Sequence, residues 1–179
     1  ISSLAGSAGV STTDAGAGAA FSLNQVGNTN YAGVDNSTVN GASTLEIIAN
    51  ENATIRTLAG ALGAGEKGFS GSLSINNIGH NFLGSHPNTT IAELKNSTVT
   101  NGGGTAITVK GKEESTIDSL AGAVAIGTGG TAAGGAIADN NIQTTAKGSV
   151  SGTLIENSNS LLIRGENTST INSASLSGS

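Results

Sequence analysis

The sequence has no cysteine, methionine or tryptophan, and only one tyrosine, three phenylalanines and one proline. Without cysteine there can be no disulfide framework, no thiolate metal site and no cysteine nucleophile. Charged residues make up 11% of the chain and the net charge is -5, unlike the highly charged composition typical of disordered segments. So few cations and aromatics argue against nucleic-acid binding. No apolar run approaches the ~18 residues that span a bilayer, and none reads as a signal peptide. Glycine is frequent but has no three-residue period, which excludes collagen.

Glycine, alanine, serine, threonine and asparagine occupy 115 of the 179 positions. Leucine, isoleucine, valine and phenylalanine together number 39, few for an ordinary globular core at this length. A regular architecture with a thin core of small and β-branched side chains fits better, as in stacked β-coils.

Internal repetition supports this. Ile1-Ser-Ser-Leu4-Ala5-Gly6 recurs as Ile55-Arg-Thr-Leu58-Ala59-Gly60 and as Ile117-Asp-Ser-Leu120-Ala121-Gly122, and Ile171-Asn-Ser-Ala174 begins a degenerate fourth copy. The isoleucines are 54, 62 and 54 residues apart. Leu45, Ile107 and Leu161 align, as do Ile47, Val109 and Ile163 two places later, and this alternation is that of a strand. After a Gly/Ala stretch come Ser22-Leu-Asn-Gln-Val26, Ser74-Ile-Asn-Asn-Ile78 and Ala138-Asp-Asn-Asn-Ile142. A third word, Asp35-Asn-Ser-Thr-Val39, matches Lys95-Asn-Ser-Thr-Val99, and its third copy is read as Glu156-Asn157-Ser158. Short strands between Gly, Asn, Ser and Asp turns predict a single all-β unit, a parallel β-helix. The repeats span 1–54, 55–116 and 117–170, with a partial copy at 171–179. Coils of about 18 to 20 residues, three per 54-residue repeat, give about ten coils and a rod of roughly 45–50 Å. Ile, Val, Leu and Ala are expected inside, and Ser, Thr and Asn outside. The Gly density of the Gly/Ala stretches argues against helix there. The composition is uniform and neither terminus has a polar cap, so a segment of a longer chain is expected.

Little chemistry is visible. Gly60–Gly68 has glycines and Lys67 but lacks the Gly-Lys-Ser/Thr ending of a phosphate loop. Gly129-Gly130 and Gly134-Gly135 lack the aspartate of a calcium-binding β-roll. Acids are scattered except Glu113-Glu114, in a run from Lys110 to Ser115 that reads as a solvated turn. His80 and His86 have neither helical spacing nor a carboxylate between them, so no metal site is expected. No catalytic residue and no cofactor is assigned. The five Asn-x-Ser/Thr sites at Asn36, Asn52, Asn88, Asn96 and Asn167 are what the Asn, Ser and Thr content produces by chance.

The repeat fails in one place. The second copy runs two residues shorter from Ile55 to Ile78 and ten longer from there to Ile107. The gain falls in the segment holding both histidines, Phe82 and the only proline. An insertion in a solenoid must leave the coil path, so residues 79–90 are expected to form a protruding loop. His80, Asn81, Phe82, Leu83, His86 and Pro87 are its candidate contact residues.

Asn-Ser-Thr-Val, then Ser-Thr-Leu-Glu-Ile-Ile-Ala-Asn-Glu-Asn-Ala-Thr-Ile (43–55), then Thr-Leu-Ala-Gly (57–60) and Ser-Leu-Ser-Ile-Asn-Asn-Ile-Gly (72–79) resemble the repeats of large bacterial filamentous adhesins. In particular the chain resembles the fusobacterial leukotoxin-like, filamentous-haemagglutinin-type exoproteins over nearly its whole length. The resemblance implies a right-handed parallel β-helix, secreted through an outer-membrane pore and held on or released from the cell surface. It implies no catalytic motif. The expected partners are a host or neighbouring-cell receptor or glycan, copies of the chain itself, and the secretion pore during export. The rival readings are a self-associating extracellular filament or matrix subunit and a polysaccharide-acting β-helix enzyme.

Overall fold

The computed structural model describes residues 1–81, 84–85 and 87–179. Among the described residues it is all-β, 88% strand with no helix. The strands are β1 (Ser2–Val10), β2 (Ala15–Val26), β3 (Thr29–Asp35), β4 (Thr38–Asn40), β5 (Thr44–Ile78), β6 (His80–Asn81), β7 (Gly84–Ser85), β8 (Asn88–Lys95), β9 (Thr98–Ile142), β10 (Thr144–Ser151) and β11 (Leu154–Gly178). One parallel sheet has the order β1-β5-β9-β11, with β2 also on β5 and β4 also on β9, and a second has the order β3-β8-β10.

The register corrects the expected coil length. Leu4 pairs with Leu58, Val26 with Ile78, Ile55 with Ile117, Thr89 with Thr145 and Ile117 with Ile171. Hydrogen-bonded neighbours are therefore 52 to 64 residues apart, a whole repeat, and not 18 to 20. Each repeat contributes one strand level rather than three stacked coils. The reason lies in the interior: the three strand words of a repeat face one another across the core instead of stacking. Thr57 meets Asn76 side chain to side chain within β5, and Thr90 of β8 meets Glu113 of β9.

Two corners per level need a left-handed backbone. Asn36 (φ 47°), Asn96 (φ 48°) and Gly152 (φ 58°) occupy the first. Gly41 (φ 71°), Gly104 (φ 83°) and Asn157 (φ 56°) occupy the second. Asn and Gly are the residues that tolerate this conformation. This corrects one alignment. Glu156-Asn157-Ser158 is not the third copy of the Asn-Ser word, because Leu154 pairs with Thr98 and puts Gly152-Thr153 in that place. Two corners with one conformational demand draw on the same residue types, which is why the words looked alike.

Along each level the interior alternates between apolar and polar zones. Ile47, Ala49, Ala92, Leu94, Val99, Ile107 and Val109 form one apolar cluster, and Ala53, Ile55, Ile78 and Ile117 form another. Between them Glu113 is fully buried. Beyond the second cluster lie Thr57, Ser74, Asn76 and Ser119, then Ala59, Ala61, Ala121 and Ala123, all buried. The far tip closes on glycine: a Cβ at Gly63 would lie 1.7 Å from the Phe69 carbonyl oxygen, and one at Gly16 would lie 1.8 Å from that of Ala64. Only glycine lets the two backbones meet there.

Burial follows stacking. Ile55 and Ile117 are 0% exposed while Ile171, in the same column, is 47% exposed. The interior residues of β5 and β9 have a strand on both sides, whereas β11 has one on a single side. Strand parity also places some leucines outside. With Ile55 inside, positions 57, 59 and 61 follow it inward, and Leu58 faces out, as does Leu120 one level on. The expectation that leucine is an inward residue therefore fails at the Leu-Ala-Gly marker.

Candidate functional site

The insertion departs from the sheets at one point. Ile78 pairs with Ile142 and Asn88 with Thr144, so residues 79–87 stand opposite the single residue Gln143. The remaining surplus falls at 101–105, opposite 157–159. The base of the insertion is pinned by backbone hydrogen bonds. Gly79 N–H donates to the Val26 carbonyl at 2.7 Å, Gln143 N–H to Ile78 at 2.8 Å and Asn88 N–H to Gln143 at 3.1 Å. Gly79 has φ 72°, and a Cβ there would lie 1.8 Å from the Gln143 carbonyl oxygen. Glycine is thus required where the chain leaves its level.

Within the insertion the backbones of His80 and Ser85 pair, as do those of Asn81 and Gly84, in an antiparallel two-stranded sheet separate from the parallel ones. Phe82, Leu83 and His86 lie outside the described residues. Pro87 is exposed, and its carbonyl accepts from Thr89 Oγ1 at 3.1 Å.

Glu113 and Glu114 are not in a turn. Both lie in β9, where neighbouring side chains point to opposite faces. The buried Glu113 carboxylate accepts from Thr90 Oγ1 and Ser115 Oγ, each at 2.8 Å. One level away Glu51 takes Asn28 and Asn30, and in the level beyond Asn167 holds this column. Glu114 faces outward and pairs with Lys112 at 2.6 Å. Alternation therefore separates the only two adjacent acids of the sequence.

Five acids, Asp35, Glu93, Glu114, Asp118 and Glu166, are paired with cations. Lys110 Nζ and Arg164 Nε each lie 2.7 Å from Glu166, and Arg56 Nε lies 3.5 Å from Asp118. The hydrogen bond from Lys110, with the charge of Arg164 beside it, holds the Glu166 carboxyl below its usual range. A general acid needs the opposite shift. Asp35 and Glu93 raise Lys95, and Tyr31, which donates to Glu93 at 3.2 Å, is raised by desolvation and by that hydrogen bond. Lys110–Glu166, Arg56–Asp118, Lys95–Asp35 and Tyr31–Glu93 link successive strand levels, whereas Arg164–Glu166, Lys112–Glu114 and Lys95–Glu93 each lie within one strand. Among the described residues no group of three or more His, Asp or Glu could hold a metal ion.

No protein-family model matches the chain, and no curated protein or solved structure is similar enough to it to provide a relative.

The asparagine column Asn24, Asn76 and Asn140 was not singled out from the sequence. Its signal was present in the aligned words around Ser22, Ser74 and Ala138, each with Asn in its third place.

Proposed function

We propose that the chain is part of the shaft of a bacterial secreted or cell-surface filamentous adhesin or exoprotein. The observation that carries this reading is the parallel, in-register pairing of one repeat with the next from β1 through β11. A fold whose levels are sequence repeats can lengthen by adding repeats, which is the requirement of a shaft. In this reading the chain winds as a right-handed β-solenoid, the hand the adhesin resemblance implies, with one repeat per turn. Four levels then rise about 19 Å, at ~4.8 Å each.

The absence of cysteine suits a chain passed unfolded through an outer-membrane pore. The insertion at 79–87 is the proposed contact element, with His80, Asn81, Phe82, Leu83, His86 and Pro87 as its contact residues; both histidines and the only proline of the sequence fall in it. Its partner is a receptor or glycan on a host or neighbouring cell. The Glu166 carboxyl, held low beside Lys110 and Arg164, is a poor general acid, which supports a binding and spacing role over hydrolysis.

Two measurements test this. A chain with twenty added copies of residues 55–116, imaged by electron microscopy, lengthens by roughly 100 Å if each repeat is one level. Threefold greater growth would restore three coils per repeat, and compact particles would refute the shaft. For adhesion, bacteria displaying the chain should adhere to host cells more than bacteria lacking it. Deletion of residues 80–85 should abolish that gain, and equal adherence with and without the chain would refute the adhesive role.

A further inference from the structure

Three outward columns run side by side across the levels of β1, β5 and β9. Leu4, Leu58 and Leu120 form the first, Gly6, Gly60 and Gly122 the second, and Ala8, Leu62 and Val124 the third. Leu58 is 45% exposed, Leu120 40% and Val124 49%. A hollow of about 470 Å³ lies over the glycines, and another of about 590 Å³ lies on the far side of the leucine ridge, beside Arg56 and Asp118. Together they make a leucine ridge beside a glycine furrow, both running in the stacking direction.

The glycines have no internal reason to be there. None of the three has a positive φ, and a Cβ at any of them would meet nothing within 4 Å. Gly63 and Gly16 are required by close backbone contact, but Gly6, Gly60 and Gly122 are not. Glycine within a strand is unfavourable unless a bulge or a close approach needs it. Its recurrence in three successive levels points to something approaching from outside, and the exposed leucines beside it make the patch apolar.

We propose that this face pairs two copies of the chain side by side, each seating its leucine ridge in the other's glycine furrow. Ridge and furrow are adjacent columns with one residue per level. A two-fold axis parallel to the stacking direction and lying between them lays each ridge on the opposite furrow with the levels matched. An axis along the strands would set ridge against ridge. On β11 the pattern stops, with Ala174 in the ridge column and the exposed Leu176 in the furrow column. The outward columns from Arg56 to Ala64, over the three levels that keep it, cover about 450 Å² per copy, or about 900 Å² in total, the size of a weak, transient contact. The Arg56–Asp118 pair then lies toward the rim, around an apolar centre.

Sedimentation equilibrium between about 10 and 500 µM tests the proposal on three chains: the wild type, Gly60→Thr with Gly122→Thr, which fills the furrow, and Leu58→Ser with Leu120→Ser, which removes the ridge. The wild type is expected to reach the dimer mass. Both variants should stay monomeric, or dimerise at least tenfold more weakly, with unchanged circular dichroism. A wild type that stays monomeric to 500 µM overturns the proposal, as does dimerisation of the folded furrow variant at wild-type strength. Fibre growth that neither variant alters would assign association to the strand edges and overturn it too. As a register check, Leu58→Cys chains mixed with Gly60→Cys chains should form mixed disulfides in preference to Leu58→Cys homodimers. The reverse preference would exclude this two-fold axis.

Discussion

Asn76 joins two other asparagines in one buried column: its Oδ1 accepts from Asn24 Nδ2 at 2.8 Å, and its Nδ2 donates to Asn140 Oδ1 at 2.7 Å. Thr57 Oγ1 also donates to Asn76, at 2.6 Å, and Asn76 donates to Ser119 at 3.1 Å. The side-chain ladder runs along the stacking direction, parallel to the backbone one, and ties the facing strands together at every level. Asn76→Leu keeps the volume but leaves several buried partners without hydrogen bonds, each costing about 1–3 kcal/mol. A loss of about 2–4 kcal/mol is expected in urea unfolding. Asn140→Ala, at the less buried end of the ladder, should cost about 1 kcal/mol. Equal losses at the two sites would show that the ladder does not act through burial.

Ser72 offers the opposite case. Its hydroxyl is buried without a hydrogen-bond partner, and its column neighbours are Ala20 and Ala136. Ser72→Ala removes an unpaired polar group and keeps the column uniform. Stability should rise by about 1 kcal/mol, read as a higher urea midpoint with an unchanged slope.

Gly60 and Gly63 lie three residues apart in β5 and face opposite ways. A Cβ at Gly60 meets open space, whereas one at Gly63 would lie within the Phe69 backbone. Gly60→Ala should be neutral or stabilising by about 0.5–1 kcal/mol. Gly63→Ala should cost about 3 kcal/mol or more, since the facing backbones must separate. Similar thermal midpoints for the two variants would contradict the closed tip.

Stacking makes a parallel prediction for isoleucine. Ile117→Ala removes a fully buried side chain and should cost about 2–5 kcal/mol. Ile171→Ala in the same column, with a strand on one side only, should cost less than half as much.

The Lys110–Glu166–Arg164 cluster predicts an acid-side loss of stability. The Glu166 carboxyl is lowered in the folded chain, so its contribution is fully present above the ordinary glutamate range. It disappears as pH falls from about 4.5 through the lower folded value. In Glu166→Gln the thermal midpoint should fall less steeply between pH 5 and 3 than in the wild type. Parallel curves would remove Glu166 from the acid response.

Much of the fold was legible because repetition and alternation are both written in residue types. The columns of Leu45, Ile107 and Leu161, and of Ile47, Val109 and Ile163, are paired as the alignment reads. The level spacing was not legible. A 54-residue period fits one long turn or three short ones equally well in sequence, and only the hydrogen-bond partner of each strand distinguishes them. The insertion was visible as a length difference between Ile78 and Ile107, but not its division into 79–87 and 101–105.

An all-β chain with a period near 54 residues and an interruption after Ile78 follows from the order of residues alone, because strand alternation and turn preference are local properties. Which strands face each other depends on contacts between residues about 20 positions apart or more, such as Thr57 with Asn76 and Thr90 with Glu113. Those contacts buried Glu113 in β9, turned Leu58 and Leu120 outward, and distinguished glycines that close the tip from glycines that line an open furrow. Packing across the interior determines the inside and outside of each strand, and no local rule supplies it.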